Sequence, residues 1–194
     1  MDAVSKEIYP VLPVQFRDAL PASAKASAQN SQVFRATLHV MPRLVAELFD
    51  QVKYTDGTDW LMWKLVAAFY LMEMRIGPNS VRQAGERIYS TMPWPPLVKS
   101  IADALRFTQV AYFESHLQES HEVVGRWRVE SETPGRTILV DENPYPCHVN
   151  EGVIAGIGRA FAAQKPSYDI LEPTRAKRAG GVTTGYEVTY EPAT

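Results

Sequence analysis

The chain has 194 residues, 45% of them hydrophobic, with a formal net charge of -2 and a single cysteine. That suffices for one domain with a full core, and it excludes an electrostatic grip on nucleic acid or an anionic membrane. One cysteine excludes an internal disulfide framework and any site needing two cysteine ligands, so a reducing cytoplasm is the plain expectation.

Residues 1–30 read as an extended arm and linker. Pro10, Pro13 and Pro21 interrupt them, and a small polar run continues to Ser31. The segment lacks a basic region followed by an apolar block, so it does not read as a signal peptide. Ile8, Tyr9, Val11, Leu12, Val14 and Phe16 are too many apolar side chains for a solvated tail. They are expected to pack on a neighbouring surface or a second subunit, with a disordered leader as the alternative. Residues 31–194 form the expected single domain.

Between Gln32 and Val52 the pattern fits both strand and helix. A helix from Pro42 to about Lys53 is preferred, because Pro suits a first turn. Thr55-Asp56-Gly57-Thr58 is a turn, with Thr58 or Asp59 able to cap the next helix. Trp60 to Arg75 is apolar nearly all round and predicts a central buried helix. Lys64 and Glu73 interrupt it, and it is too short to span a bilayer. Gly77-Pro78 ends it, and Asn79 or Ser80 opens another helix through Val81, Ala84, Gly85 and Ile88. Pro93, Pro95 and Pro96 break the chain. Leu97 to Leu117 then predicts a helix with a stripe of Ile101, Leu105, Thr108 and Tyr112.

After Ser120 the period changes to two. Val123, Trp127 and Val129 share one strand face, while Arg126, Arg128 and Glu130 share the other. A turn at Glu132-Thr133-Pro134-Gly135 leads to a second strand, Arg136 to Val140, and so to a hairpin. Further strands are expected near Ser167–Leu171 and Tyr186–Tyr190, with Gly180-Gly181 between them. Helices first and strands later, with one glycine-rich helix among the strands, is an α+β pattern.

That helix comes after Asp141-Glu142-Asn143-Pro144-Tyr145-Pro146-Cys147-His148. Asn150 is expected to cap it and Glu151 to open it. Gly152, Gly156 and Ala160 recur every four residues, a face with almost no side chain that admits another backbone or a ligand. Cys147 and His148 are adjacent, so in an extended segment they point apart and make a poor nucleophile–base pair. Cys147 reads as a small buried residue. His116 and His121 read as solvated histidines at a helix end. No phosphate loop, GxSxG or HExxH motif occurs. No catalytic residue, metal site or cofactor is expected.

The aromatic residues allow two readings. Trp60, Trp63, Phe69 and Tyr70 lie on one helix, Phe107, Tyr112 and Phe113 on another, and Trp127 on the sheet. They form either a filled core or the wall of an apolar cavity that Met62, Met72 and Met74 would let adapt. In the cavity reading Arg126 and Arg128 offer a carboxylate or phosphate clamp, and Gly152 and Gly156 admit the ligand closely.

The run from Asn143 to Phe161, NPYPCHVNEGVIAGIGRAF, resembles a signature of bacterial domains related to the 4-vinyl-reductase domain and the haem nitric-oxide-binding domain; TRAPP-type trafficking subunits share that superfamily. The segment Gly77 to Ile88 is similar to the family's glycine-containing helix. Thr174 to Gly181 and Gly185 to Tyr190 stand where relatives close with a cysteine-flanked strand. Both closing cysteines are missing here, and so is the Tyr-x-Ser-x-Arg motif of the haem branch. The resemblance therefore implies neither a cysteine metal site nor haem. It implies N-terminal helices on a twisted antiparallel sheet, often dimeric, often around an apolar pocket. Fold alone does not set function. The expected function is a non-catalytic binding protein for a hydrophobic small molecule, a sensor or accessory factor. The alternatives are a homodimeric peptide- or protein-binding accessory protein, and a reductase or hydrolase.

Overall fold

A computed structural model describes residues 12–17, 20–21, 23–27, 46–47, 50, 60–171 and 180–192. The helix expected from Pro42 lies almost wholly outside the described residues; 46, 47 and 50 are helical. The turn at 55–58 and the side chain of Trp60 also lie outside them.

Helix α1 spans Met62–Ile76 and buries nine of its side chains, Met62 to Met72 among them. The expected caps, Thr58 and Asp59, lie outside the described residues; Leu61 is the N-cap and offers no side-chain bond. Trp60 and Leu61 instead form a two-residue strand, β2, antiparallel to β1 at Lys25–Ala26. Gly77 closes α1 at φ 106°, a conformation that favours glycine, and its N–H donates to the Glu73 carbonyl at 3.0 Å. Pro78 then occupies the first position of α2, Pro78–Thr91, where its missing N–H costs nothing. The prolines at 93–96 hold the chain out of helix until α3, Ile101–Glu114. The sequence places that start four residues early. Ser100 is the cap, its hydroxyl accepting from the Asp103 N–H. The stripe of Ile101, Leu105, Thr108 and Tyr112 is buried as expected.

Strands β3 (Trp127–Thr133) and β4 (Arg136–Asp141) form the predicted hairpin, turning at Gly135 with φ 79°. Val129 opposes Leu139 and Ser131 opposes Ile138, so Glu130 is an extra residue that bulges the edge strand. β5 (Ser167–Leu171) and β6 (Thr184–Thr189) complete a four-stranded antiparallel sheet in the order β3-β4-β6-β5. The molecule is α+β, as the change of period predicts. One sheet face carries Trp127, Leu139, Tyr186 and Val188 into the core shared with α1, α2 and α3.

Helix α4, Cys147–Ala160, connects β4 to β5. It starts four residues before the expected Glu151, with Pro146 at the N-cap. Asn150 is therefore no cap. It is buried, and its Nδ2 donates to Asp141 Oδ2 at 2.9 Å and Asn143 Oδ1 at 3.1 Å. Tyr186 donates its hydroxyl to the same Asp141 oxygen at 2.9 Å. This network ties the first turn of α4 to the sheet.

The described part of the N-terminal arm is built into the domain. Leu12, Phe16 and Leu20 are buried, while Val14 is exposed. Ala24 accepts from the Met62 N–H at 2.7 Å, and Lys25 accepts from the Leu117 N–H at 3.1 Å. The arm thus joins the start of α1 to the end of α3. No helix among the described residues is long and apolar enough to cross a membrane.

Candidate functional site

Two features of α4 stand out. One is a groove along its C-terminal half and the other a polar corner at its first turn.

The groove encloses about 740 Å³ and is lined by Arg82 of α2, by Ile154, Ala155, Gly158 and Arg159 of α4, and by Pro166 to Ile170 with Val188 of the sheet. Three elements make it. They are α4, the edge strand β5, and α2, which supplies Arg82. Arg82 Nη2 donates to the Tyr168 hydroxyl at 2.8 Å, and its guanidinium lies 5.9 Å from the Tyr168 ring centroid. The Arg82 Nε is buried and has no hydrogen-bond partner. Arg159, at the rim, pairs with Glu86 at 2.8 Å. Burial raises the Tyr168 phenol, with Arg82 acting against it, so the hydroxyl stays protonated and available.

At the polar corner Cys147 is buried, as expected of a small apolar residue. The expectation that His148 points away from it fails. Both lie on the first turn of a helix, not on extended chain, and Cys147 Sγ is 3.9 Å from His148 Nδ1. The same Nδ1 is 3.0 Å from Glu73 Oε1 on α1. The Cys147 side chain and the Glu73 carboxylate outweigh partial burial and hold the His148 imidazole up at about 10. A relay from thiol to carboxylate needs two ring nitrogens, one for each partner. Here both partners meet one nitrogen, so the ring has no path along which to pass a proton between them.

Among the described residues, Trp63, Tyr112 and Trp127 of the aromatic set are packed as core. Trp63, Tyr112 and Trp127 are each no more than 5% exposed and pack with Leu105, Leu139 and Tyr186. Phe69, Tyr112, His116 and Tyr145 stack edge-on or tilted around one another. The predicted cavity wall is thus solid at these three residues. Arg126 and Arg128 both reach Glu142, at 2.5 and 3.3 Å, at the end of the sheet and away from the groove. Burial would raise the Glu142 carboxyl, but the two guanidiniums prevail and hold it below its usual value. They form ion pairs with Glu142 at the surface. Gly152 and Gly156 admit a backbone. A Cβ on either would sit inside van der Waals contact of α2, against the carbonyls of Arg82 and Glu86. They face α2 and line no part of the groove.

His116 corrects another expectation. It is 4% exposed, its Nδ1 is 2.7 Å from the Tyr112 carbonyl, and its Nε2 is 3.1 Å from the Tyr145 hydroxyl. Burial, with His121 nearby, pulls its pKa down to about 4 despite the Tyr112 carbonyl. Sequence reasoning missed Arg82, Tyr168, Glu73 and Glu151. The i, i+4 spacing of Cys147 and Glu151 was visible. The approach of α1 and of β5 was not, because nothing local encodes it.

No protein-family model and no curated protein matches the chain. Solved structures do share the fold. An H-NOX protein from S. oneidensis, a triple mutant in the Fe(II) ligation state, superposes with a TM-score of 0.64 at 10% identity, over 87% of this chain and 97% of that one. An oxygen-binding H-NOX domain related to soluble guanylate cyclases gives 0.62 at 14% identity, over 87% and 97%. A point mutant of the T. tengcongensis H-NOX gives 0.61 at 15% identity, over 87% and 100%. The haem-NO-binding fold anticipated from the Asn143–Phe161 run is the fold of this chain.

Haem, which that fold family implies, does not fit the described residues. Both nitrogens of His116 are engaged inside the core. His121 stacks on Phe113 at 4.5 Å and meets the Phe113 carbonyl. The groove has neither histidine nor cysteine in its lining.

Proposed function

We propose that the chain is a non-catalytic small-molecule-binding module, a sensor or accessory domain, whose ligand lies in the groove between α4 and β5. The observation that carries this reading is Arg82, which lines a cavity of about 740 Å³ beside the Tyr168 hydroxyl that its Nη2 holds at 2.8 Å. That volume suits a small organic ligand. A guanidinium in the wall of a partly apolar groove favours an anionic acceptor. Ile154, Ala155, Ile170 and Val188 offer the apolar surface beside it. The ligand class is therefore an apolar body carrying a carboxylate or a comparable anion.

Two further observations support the reading. The shared nitrogen of His148 argues against nucleophilic catalysis at Cys147. The H-NOX neighbour whose name records oxygen binding holds a small molecule on the same fold. The missing haem motif and missing closing cysteines suit a divergent member of the wider superfamily.

The test is a thermal-shift and calorimetric screen of aromatic and aliphatic carboxylates. At least one is expected to raise the melting temperature and bind with a single-site isotherm. Arg82→Leu is expected to weaken that binding about tenfold or more, the scale of one charge-assisted bond. A screen without any binder, or binding indifferent to Arg82→Leu, would sink the proposal.

A further inference from the structure

The corner at Cys147 has a second property, independent of the groove. The ligand atoms of Cys147, His148 and Glu151 all lie within 4.8 Å of one another. Cys147 and Glu151 are one helical turn apart on α4, so they face the same way. Glu73 joins them from α1 through its 3.0 Å contact with His148 Nδ1. Its other oxygen, Oε2, is buried and has no hydrogen-bond partner. One sulfur, one imidazole nitrogen and one carboxylate therefore converge on α4, and a second carboxylate reaches the imidazole from α1. Around a tetrahedral zinc ion such donors stand about 3.3–3.8 Å apart, given bonds of about 2.0–2.3 Å. Cys147 Sγ and His148 Nδ1 are at 3.9 Å, close to that spacing with no ion between them.

We infer that Cys147, His148, Glu151 and Glu73 form a binding site for a divalent cation of the zinc class. The thiolate and imidazole select such a borderline-soft ion over magnesium or calcium, which prefer all-oxygen shells. Four protein donors leave no open position, which is the arrangement of a structural site and not of a hydrolytic one. Binding forms four coordinate bonds and releases the thiol proton, with any proton on Nδ1, to solvent; nothing is oxidised or reduced. The ion would clamp the end of α1 to the start of α4.

Cobalt(II) is the probe. The full chain, stripped with chelator and dialysed, is titrated with Co(II) and followed by absorption, with circular dichroism as the check on folding. One equivalent is expected to give a thiolate-to-cobalt charge-transfer band together with the intense visible bands of a tetrahedral site, both reversed by zinc. Cys147→Ser removes the charge-transfer band. Glu73→Gln and Glu151→Gln each weaken binding about tenfold or more, and these two variants keep the test informative should Cys147→Ser not fold. The inference is overturned by three outcomes: no spectrum at one equivalent, a spectrum without the sulfur band, or a titration unchanged in the folded variants.

Discussion

At the scale of single residues, His116 makes the most of its setting. Its ring is sealed beneath Tyr112 and Tyr145, with the ring of His121 adding repulsion to any charge it acquires. In the folded chain it stays neutral down to about pH 4, whereas the unfolded chain takes up that proton near 6.5. Below 6.5 the unfolded state therefore binds more protons, and stability falls as pH falls. The loss is complete once pH is below the folded value, and amounts to about 3 kcal/mol. His116→Gln removes that term. Urea unfolding from pH 7 to pH 4 is expected to show the gap between wild type and variant shrinking by about this much. A constant gap would mean that His116 is not held neutral. Nothing near residue 116 in the sequence announces its burial. A histidine at a helix end is ordinarily wet, and here the arm and Tyr145 cover it from afar.

Elements were easier to recognise than to delimit. The helix at Ile101, the hairpin at Gly135 and the strand at Ser167 are consequences of periodicity and turn chemistry. The starts of α3 and α4 were not, because more than one residue in each stretch can cap, and packing chooses among them. For α4 the choice is forced by Asn150, which the Asp141 network draws inward. The bare face of α4 was legible as a demand for close approach, though not as a demand for α2 in particular. Gly85 reciprocates from α2, against the carbonyl of Val149. Gly152→Ala drives a methyl group into backbone that has no rotamer to yield. It is expected to cost about 2 kcal/mol or more, despite a gain of up to about 1 kcal/mol in helix propensity. Gly158→Ala meets the ring of Pro166 instead and should cost less. Equal denaturation midpoints for the two variants would refute this packing of α4 on α2.

At the scale of the whole molecule, the arm helps to close the core. Its apolar residues are too many for a solvated tail, and Leu12, Phe16 and Leu20 are as buried as the residues of α1. Each such side chain contributes about 1.5–3 kcal/mol by leaving water. Together they rival the net stability of a small domain, which is about 5–15 kcal/mol. Removal of residues 1–27 is therefore expected to lower the melting temperature sharply and to increase binding of a hydrophobic dye. A truncated chain that melts like the parent would show the arm to be dispensable. The sheet order and the core that the arm closes were not readable from local pattern, because both depend on pairings between distant segments. The fold class was readable, because it depends only on the order of the periods.

The interlocked glycines of α2 and α4 have a mechanical consequence. With each backbone seated in a slot of the other, the two helices cannot slide past one another by less than a full step of the glycine repeat. α4 carries the groove at one end and the Cys147 corner at the other, about 17 Å apart for eleven residues of helix. Gly158 lines the groove and Cys147 opens the same helix, so one element seated on α2 sets both the groove wall and the contact with Glu73 of α1.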